Sequence, residues 1–365
     1  MTCTVVSLRT IAMVQLARNP KVAQLAKDLR LDWRKDPLTA IRRYALAQVD
    51  QIVADSSIPV DGLGTLQWVV ANKFGVRLEV IREASDIARL AQRYADFDPL
   101  LRQRLTHEFT KRTTEGITLE RFEPDPRFFR YLAVVDGRGE RSPRVYFTSW
   151  HELAHFLVYP SQLAFPGFRR TPMLDEWVKD PIESVVDHVA GKVAFYPPLF
   201  QPVLDKAIAE HGGLTFAAVD ATREAAAPTA SLFAAAMGAV SMFDRPALLV
   251  VAEMALKADE KRAARSPQQA FSFGAIEVEE KLRVTALIAN EAAASSPLAI
   301  RRNMRVPPRS VLMQAHMSLG DITCFAVEDQ ASWDSSRTGP LEPLSLFVEA
   351  ARRSRYVYGL ITLAD

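Results

Sequence analysis

The feature that most constrains this chain is the pentapeptide His151-Glu152-Leu153-Ala154-His155. Residues four apart on a helix lie one above the other on the same face, so His151 and His155 can offer two imidazoles to one cation. Glu152 follows the first of them directly. Its carboxylate is thereby placed beside an open coordination position, where it can take a proton from an activated water. With only 6 His in 365 residues, such a grouping rarely arises by chance. Two histidines on one helix face also suit an ordinary amphipathic helix, so a third ligand is what decides. Around the pentapeptide, Val145, Tyr146 and Phe147 favour a strand, Ser149 suits an N-cap and Pro160 a stop. The sequence therefore predicts strand, then helix.

A third ligand is available downstream. Residues 180 to 198 open with Asp180-Pro181, a good N-cap followed by proline at the first helical position, and close at Pro197-Pro198. Within this predicted helix Glu183 and Asp187 are four apart and share a face. A catalytic zinc site uses three protein ligands and a water, and Glu183 completes the set with His151 and His155. Asp187 can then accept the ring N–H of a ligand imidazole and fix its tautomer, or itself replace Glu183 as ligand. Asp180-x-x-Glu183 also fits a capping box, which would employ Glu183 at the helix end instead.

The residues from Tyr146 to Leu157, Tyr-Phe-Thr-Ser-Trp-His-Glu-Leu-Ala-His-Phe-Leu, resemble the hallmark helix of the ImmA/IrrE family of prokaryotic metallopeptidases. Glu183-x-x-Val186-Asp187-x-Val189-Ala190, continuing to Pro197, is similar to that family's second motif. Val186 and Val193-Ala194-Phe195 depart from its usual residues but remain apolar. Glu183 lies 28 residues beyond His155, a separation that also suits the family. The resemblance covers residues 40–250. It implies a zincin-like metallopeptidase that cleaves a protein partner, typically a helix-turn-helix transcriptional repressor, during stress or mobile-element induction. It further implies a sensor-like C-terminal domain.

Composition sets the wider bounds. Apolar residues make up 48% and charged ones 24%, as in ordinary globular proteins, and the net charge of +2 demands neither nucleic acid nor an anionic membrane. The two cysteines, Cys3 and Cys324, have no metal or disulfide spacing, so a reducing cytoplasm is the expected compartment. Residues 1–15 lack the basic start and long apolar core of a signal peptide. The apolar run from Ala230 to Phe243 is too short to span a bilayer.

The predicted fold class is α+β: a mainly helical metallopeptidase domain with a small antiparallel sheet, a helical middle region and a small α+β C-terminal domain. Residues 1–37 read as an extension. The metallopeptidase domain covers 38–200, opening with helices at 38–55 and 63–74 and a strand at 76–81. Residues 82–127 read as an insertion forming a charged, solvated two-helix flap, with the covering of a substrate cleft as the alternative. Phe128–Val135 and Pro143–Thr148 alternate like strands around a loop containing Gly137 and Gly139, the second feeding the His-Glu-x-x-His helix. Such a strand can pair with an extended substrate, with Arg144 as an edge charge or substrate contact. Ser161–Asp180 is a loop that can shape substrate access. Residues 201–265 read as helices, including Pro246–Ala258. The turn between Phe216 and Leu232 is faintly helix-turn-helix-like but has few cations for phosphate. Ser266–Gly274 reads as a linker. The C-terminal domain, 266–365, has strands near 281–288, 323–328 and 356–363, a helix near 344–352 and a basic loop from Arg301 to Arg309.

The expected chemistry is metal-dependent peptide hydrolysis. His151, His155 and Glu183 hold zinc, with manganese as an alternative, and Glu152 acts as general base. Tyr146, Tyr159, Tyr196 and His188 are candidates to stabilise the oxyanion. No Gly-x-Ser-x-Gly motif competes. The alternative is a regulatory binding protein whose metal site is structural or vestigial. Direct nucleic-acid binding is not expected, because no basic recognition helix is present.

Overall fold

The structure, a computed structural model, describes residues 16–110, 114–123, 128–159, 167–170, 180–257, 260, 279–335, 339–353 and 356–364. It is an α+β protein. The chain divides into two compact units, Val14–Lys206 with Ala221–Gly238, and Ala207–Asp220 with Ala239–Asp365.

In the first unit, helices α1 (Pro20–Asp28), α2 (Pro37–Ala54) and α3 (Leu63–Lys73) lead to β1 (Val76–Ile81). Asn19 and Asp36 cap α1 and α2 with their side chains, each just ahead of a proline that suits the first turn. Then follow α4 (Ser85–Arg93), α5 (Leu101–Thr110), β2 (Thr114–Glu120), β3 (Tyr131–Asp136), a short 3₁₀ segment at Gly139–Arg144 and α6 (Val145–Val158). The strand β4 (Gly167–Arg170) and helix α7 (Pro181–Val193) come next. The sheet order is β1-β3-β2-β4, with β1 and β3 parallel and the remaining pairs antiparallel. The sheet is thus mixed, where an antiparallel one was expected.

Residues 82–127 are integral to this unit. Strand β2 is an inner strand, buried at every position but its last. Side chains alternate across a strand, so Ile117 and Leu119 share a core with Leu90, Tyr94, Phe97, Leu101, Leu105 and Phe109 of the preceding helical segment. The predicted solvated flap is therefore a packed layer. Its charged residues suggest a solvated pair because most line the outer face, while Asp86 and Asp98 are buried where they accept backbone amides at the helix starts.

The hairpin strand predicted at Pro143–Thr148 is also absent. Its residues form the end of the 3₁₀ segment and the first turn of α6, and Ser149 lies inside the helix rather than at its cap. The redirection begins at Asp136, where β3 ends. That buried carboxylate accepts from Arg138 Nε at 2.8 Å, Arg138 Nη2 at 2.9 Å and the Arg138 amide at 3.1 Å, and it pairs with Arg141. The same arginines bond the Phe109 and Thr114 carbonyls at 2.9 Å. The chain is turned here before it can return as a strand, and α6 then buries its β-branched start against the sheet. Packing overrides local propensity.

After α7 come α8 (Pro197–His211), α9 (Phe216–Ala226) and α10 (Leu232–Met242), and the division between units falls within these three helices. The second unit has β5 (Ala247–Ala255), β6 (Lys281–Ala289), α11 (Glu291–Ala294), α12 (Val311–Met317), β7 (Ile322–Asp329), the short pair β8 (Asp334–Ser335) and β9 (Gly339–Pro340), β10 (Ser345–Arg353) and β11 (Tyr356–Leu363). Its five-stranded sheet has the order β6-β5-β11-β10-β7 and is antiparallel throughout. Helix α12 packs on one face, with Val311, Leu312 and Ala315 against Val250, Val348 and Ile361.

Two predicted helices are strands here. Pro246–Ala258 contains β5, so the C-terminal sheet begins ahead of the expected boundary at 266, and Leu344–Arg352 contains β10. Both hold consecutive buried residues, 247–252 and 348–351, where periodicity does not separate strand from helix. Helix α12 was not anticipated. The predicted linker Ser266–Gly274 and most of the loop Ser161–Asp180 lie outside the described residues. Among the described residues no helix is long and apolar enough to cross a membrane.

Candidate metal centre

Helix α6 is buried at every position from Thr148 to Val158. A helix apolar on all sides belongs inside a domain, and here the sequence sets two histidines and a glutamate into that interior. Buried polar groups need partners. Helix α7, packed alongside, supplies those of the histidines. His151 Nδ1 lies 2.7 Å from Asp187 Oδ1, and its Nε2 lies 3.2 Å from Glu183 Oε2 and 3.3 Å from His155 Nε2. His155 Nε2 lies 3.8 Å from Glu183 Oε1. Asp180 caps α7 through the Ile182 amide at 3.0 Å, which leaves the Glu183 side chain to face the histidines.

One nitrogen from each imidazole and one carboxylate oxygen thus lie within 4.8 Å of one another, in an arrangement able to hold a metal ion. With Asp187 accepting the Nδ1 proton, neutral His151 presents a lone pair at Nε2 to the other two donors. Lone pairs converging at 3.2–3.8 Å repel unless a cation or proton lies between them. The proton is disfavoured at His155. Burial, reinforced by the neighbouring His151, pulls its pKa down to about 4, so the ring stays in the neutral, ligating form. Burial acts to raise Glu183, but when no cation is bound a proton on His151 Nε2 donated to it outweighs burial and holds the carboxylate below its ordinary value, and a cation in that proton's place acts in the same direction. Nitrogens about 2.0–2.1 Å from a tetrahedral zinc stand roughly 3.3–3.4 Å apart, close to the separation of the two Nε2 atoms. The donor set fits a divalent cation.

Glu152 lies on the side of α6 that packs against β2. It is fully buried, and its Oε2 accepts from Thr118 Oγ1 at 2.6 Å. A Cβ at Gly116 would stand 2.7 Å from Glu152 Oε1, so the absence of a side chain there makes room for the carboxylate. Neither Gly116 nor Thr118 was singled out in the sequence, because β2 falls within the segment read as an insertion. The signal available was Gly-x-Thr in a strand of alternating polarity.

The other expected site residues separate. The Tyr146 hydroxyl donates to the Ala194 carbonyl, and burial drives its pKa well above the usual phenol value. The Tyr196 hydroxyl donates to Asp50, and burial together with that carboxylate raises it strongly. Both tie helices together. Tyr159, at the end of α6, is pushed up to about 12 by burial and then by the Asp180, Glu183 and Asp28 carboxylates, so it feels the charge of the site. His188 follows Asp187 and points about 100° round the helix from it. Arg144 is neither an edge-strand charge nor a free substrate contact, since it pairs with the buried Glu115 of β2.

Set against models of known protein families the sequence matches none, and no curated protein matches it significantly. Fold and site define an α+β protein with a two-histidine, one-glutamate constellation suited to a metal ion.

Proposed function

We propose that the chain is a zincin-like, metal-dependent endopeptidase akin to the ImmA/IrrE peptidases. We place it in the cytoplasm, where it would cut a specific regulatory protein such as a helix-turn-helix repressor. The observation that supports this reading best is the convergence of His151, His155 and Glu183 from two helices beside a glutamate that follows the first histidine. A divalent cation held there, zinc by donor type or manganese, supplies a Lewis acid for the scissile carbonyl and lowers the pKa of water. Asp187 holds the Nδ1 proton of His151 and so keeps Nε2 directed at the cation. Thr118 fixes the rotation of the Glu152 carboxylate through Oε2, and Oε1 is the atom assigned to take a proton and pass it to the leaving amine. Tyr159 is the favoured oxyanion partner of the four candidates, since it ends the helix that carries the histidines and feels the charge of Glu183.

A second reading, a structural site in a regulatory binding protein, is favoured by the complete burial of Glu152 against β2. The two are separated by loading purified protein with zinc and incubating it with the repressor encoded nearest its gene. The peptidase reading expects a specific cut that chelator abolishes, and Glu152→Gln keeps the metal and loses the cut. Cleavage by Glu152→Gln overturns the role of Glu152. Full metal occupancy, no cleavage and unfolding on metal removal establish the structural site.

A further inference from the structure

We propose that the C-terminal sheet associates with a second copy of this chain, edge to edge and antiparallel, through β7. Strand β7 ends the sheet, with β10 on one side and no strand among the described residues on the other. The direction of its backbone groups follows from its neighbours. The Gln330 amide donates to the Leu344 carbonyl, and the Ala364 amide to that of Ser345. Even-numbered residues of β10 therefore bond β7 and odd-numbered ones bond β11, in register with Glu328 opposite Leu346 and Ala326 opposite Val348. Even residues of β7 consequently face β10. Thr323, Phe325, Val327 and Asp329 turn their N–H and C=O groups outward.

Proteins usually blunt such an edge with lysine, proline, a bulge or an inward charge. Between Ile322 and Asp329 there is no lysine or proline, and the pairing with β10 runs without a register shift. Glu328 is the one inward acid, and it is occupied by the Val311 amide of α12 at 2.8 Å. The outward residues instead carry apolar side chains: Phe325 is 69% exposed and Val327 66%.

Charge selects a second copy as the occupant, and also its register. The Arg353 guanidinium lies 3.4 Å from Thr323 Oγ1 and has no carboxylate partner among the described residues. Asp329, at the other end of the strand, accepts from the Ala331 and Leu344 amides and has no cationic partner among the described residues. A two-fold axis at Ala326 sets Phe325 against Val327 of the second copy and Thr323 against its Asp329. Arg353 of each copy then meets Asp329 of the other, once at each end. All outward backbone groups from Thr323 to Asp329 are paired. Moving the axis to Phe325 would oppose Asp321 to Asp329, two like charges, which disfavours that register.

The test is sedimentation equilibrium of the full chain at micromolar concentration. The wild type is expected to dimerise. Val327→Lys should weaken dimerisation about tenfold or more, since it faces Phe325 and lies near its own symmetry mate. Adding Phe325→Glu to Val327→Lys should restore it, because each new lysine then faces a new glutamate only in this register. Both positions are exposed, so folding is not at issue, and circular dichroism checks it. Ala326→Cys in a Cys3→Ser, Cys324→Ser background should cross-link on mild oxidation, because the axis passes between the paired residues. A wild type that stays monomeric, including one whose β7 captures a strand of another protein instead, overturns the proposal. So does a dimer indifferent to Val327→Lys. A dimer that the double variant fails to restore and Ala326→Cys fails to cross-link overturns the register.

Discussion

Gly116→Ala tests the contact between α6 and β2 most directly. A methyl group there would stand 2.7 Å from Glu152 Oε1, 3.0 Å from Thr148 Cγ2 and 3.3 Å from Glu152 Cδ. Carbon contacts are ordinarily about 3.5 Å or more, so the carboxylate must retreat by most of an ångström. It has nowhere cheap to go. Glu152 is fully buried, and its other oxygen is held by Thr118 at 2.6 Å. Retreat stretches that charge-assisted bond, worth about 1.5–3 kcal/mol, and overpacking of this kind costs about 1–3 kcal/mol. Against this, replacing glycine in an extended strand returns about 0.4–1 kcal/mol by restricting the unfolded chain. The net expectation is a loss of about 2–5 kcal/mol in urea denaturation of the zinc-loaded protein. Gly64→Ala is the control: it lies in α3 with nothing within 4 Å of the new methyl, and should stabilise by about 0.5–1 kcal/mol. The histidines face α7 and Glu152 faces β2, so zinc stoichiometry should not change, while any cleavage should fall about tenfold or more as the base is displaced. A Gly116→Ala protein as stable as the wild type would refute the packing of Glu152 on β2.

Glu183→Ala should lower the metal-to-protein ratio measured by elemental analysis, and an unchanged ratio would transfer the third-ligand role to another group. Asp187→Ala should weaken zinc affinity by about 10–100-fold in a chelator competition, because the His151 ring loses the acceptor that orients it; an unchanged affinity would sink that role. Asp136→Asn should cost about 3–5 kcal/mol, since it leaves Arg138 and Arg141 without the buried carboxylate that joins them. Burial opposes its ionisation, yet the Arg138 hydrogen bonds and the two guanidinium charges hold its pKa below the ordinary value. Its contribution is therefore present above about 3.9 and is lost as pH falls through the lower folded value. Glu349 has the opposite sign. Burial raises it and the Phe216 amide at 2.6 Å offsets only part, so its contribution is complete below about 4.3 and is lost as pH rises through the folded value. Glu349→Gln, which can still accept that bond, should raise the melting temperature at pH 8 and flatten its pH dependence, whereas Glu349→Ala should cost about 1–3 kcal/mol.

What could be read from the sequence was what is encoded locally. The spacing of His151, His155, Glu183 and Asp187 needs only helical geometry, and the structure brings those four side chains together. Likewise the helices expected at 38–55 and from Asp180-Pro181, and the strand expected at 76–81, begin within a residue or two of where the structure has them. The misread segments were settled by tertiary neighbours. Val145 to Thr148 have strand propensity but become helix once Asp136 and its arginines have turned the chain. Residues 247–252 and 348–351 are buried on both faces with only Glu349 among them polar, so no two-residue period survives to mark them as strands.

The same distinction bears on Glu152. Its place in the motif could be read from the sequence, but its environment could not, since the groups that touch it come from a strand more than thirty residues earlier. A carboxylate that is fully buried needs a donor, and Thr118 provides one; it also needs space, and Gly116 provides that. Neither is demanded by a histidine pair that binds a cation. If Glu152 served only to fill the core, an apolar side chain of similar volume would pack there without a desolvation penalty. Glu152→Leu is then the decisive substitution. A purely structural glutamate predicts unchanged or greater stability and unchanged behaviour in every other assay. A working base predicts that the more stable variant is the inactive one, with its zinc still bound.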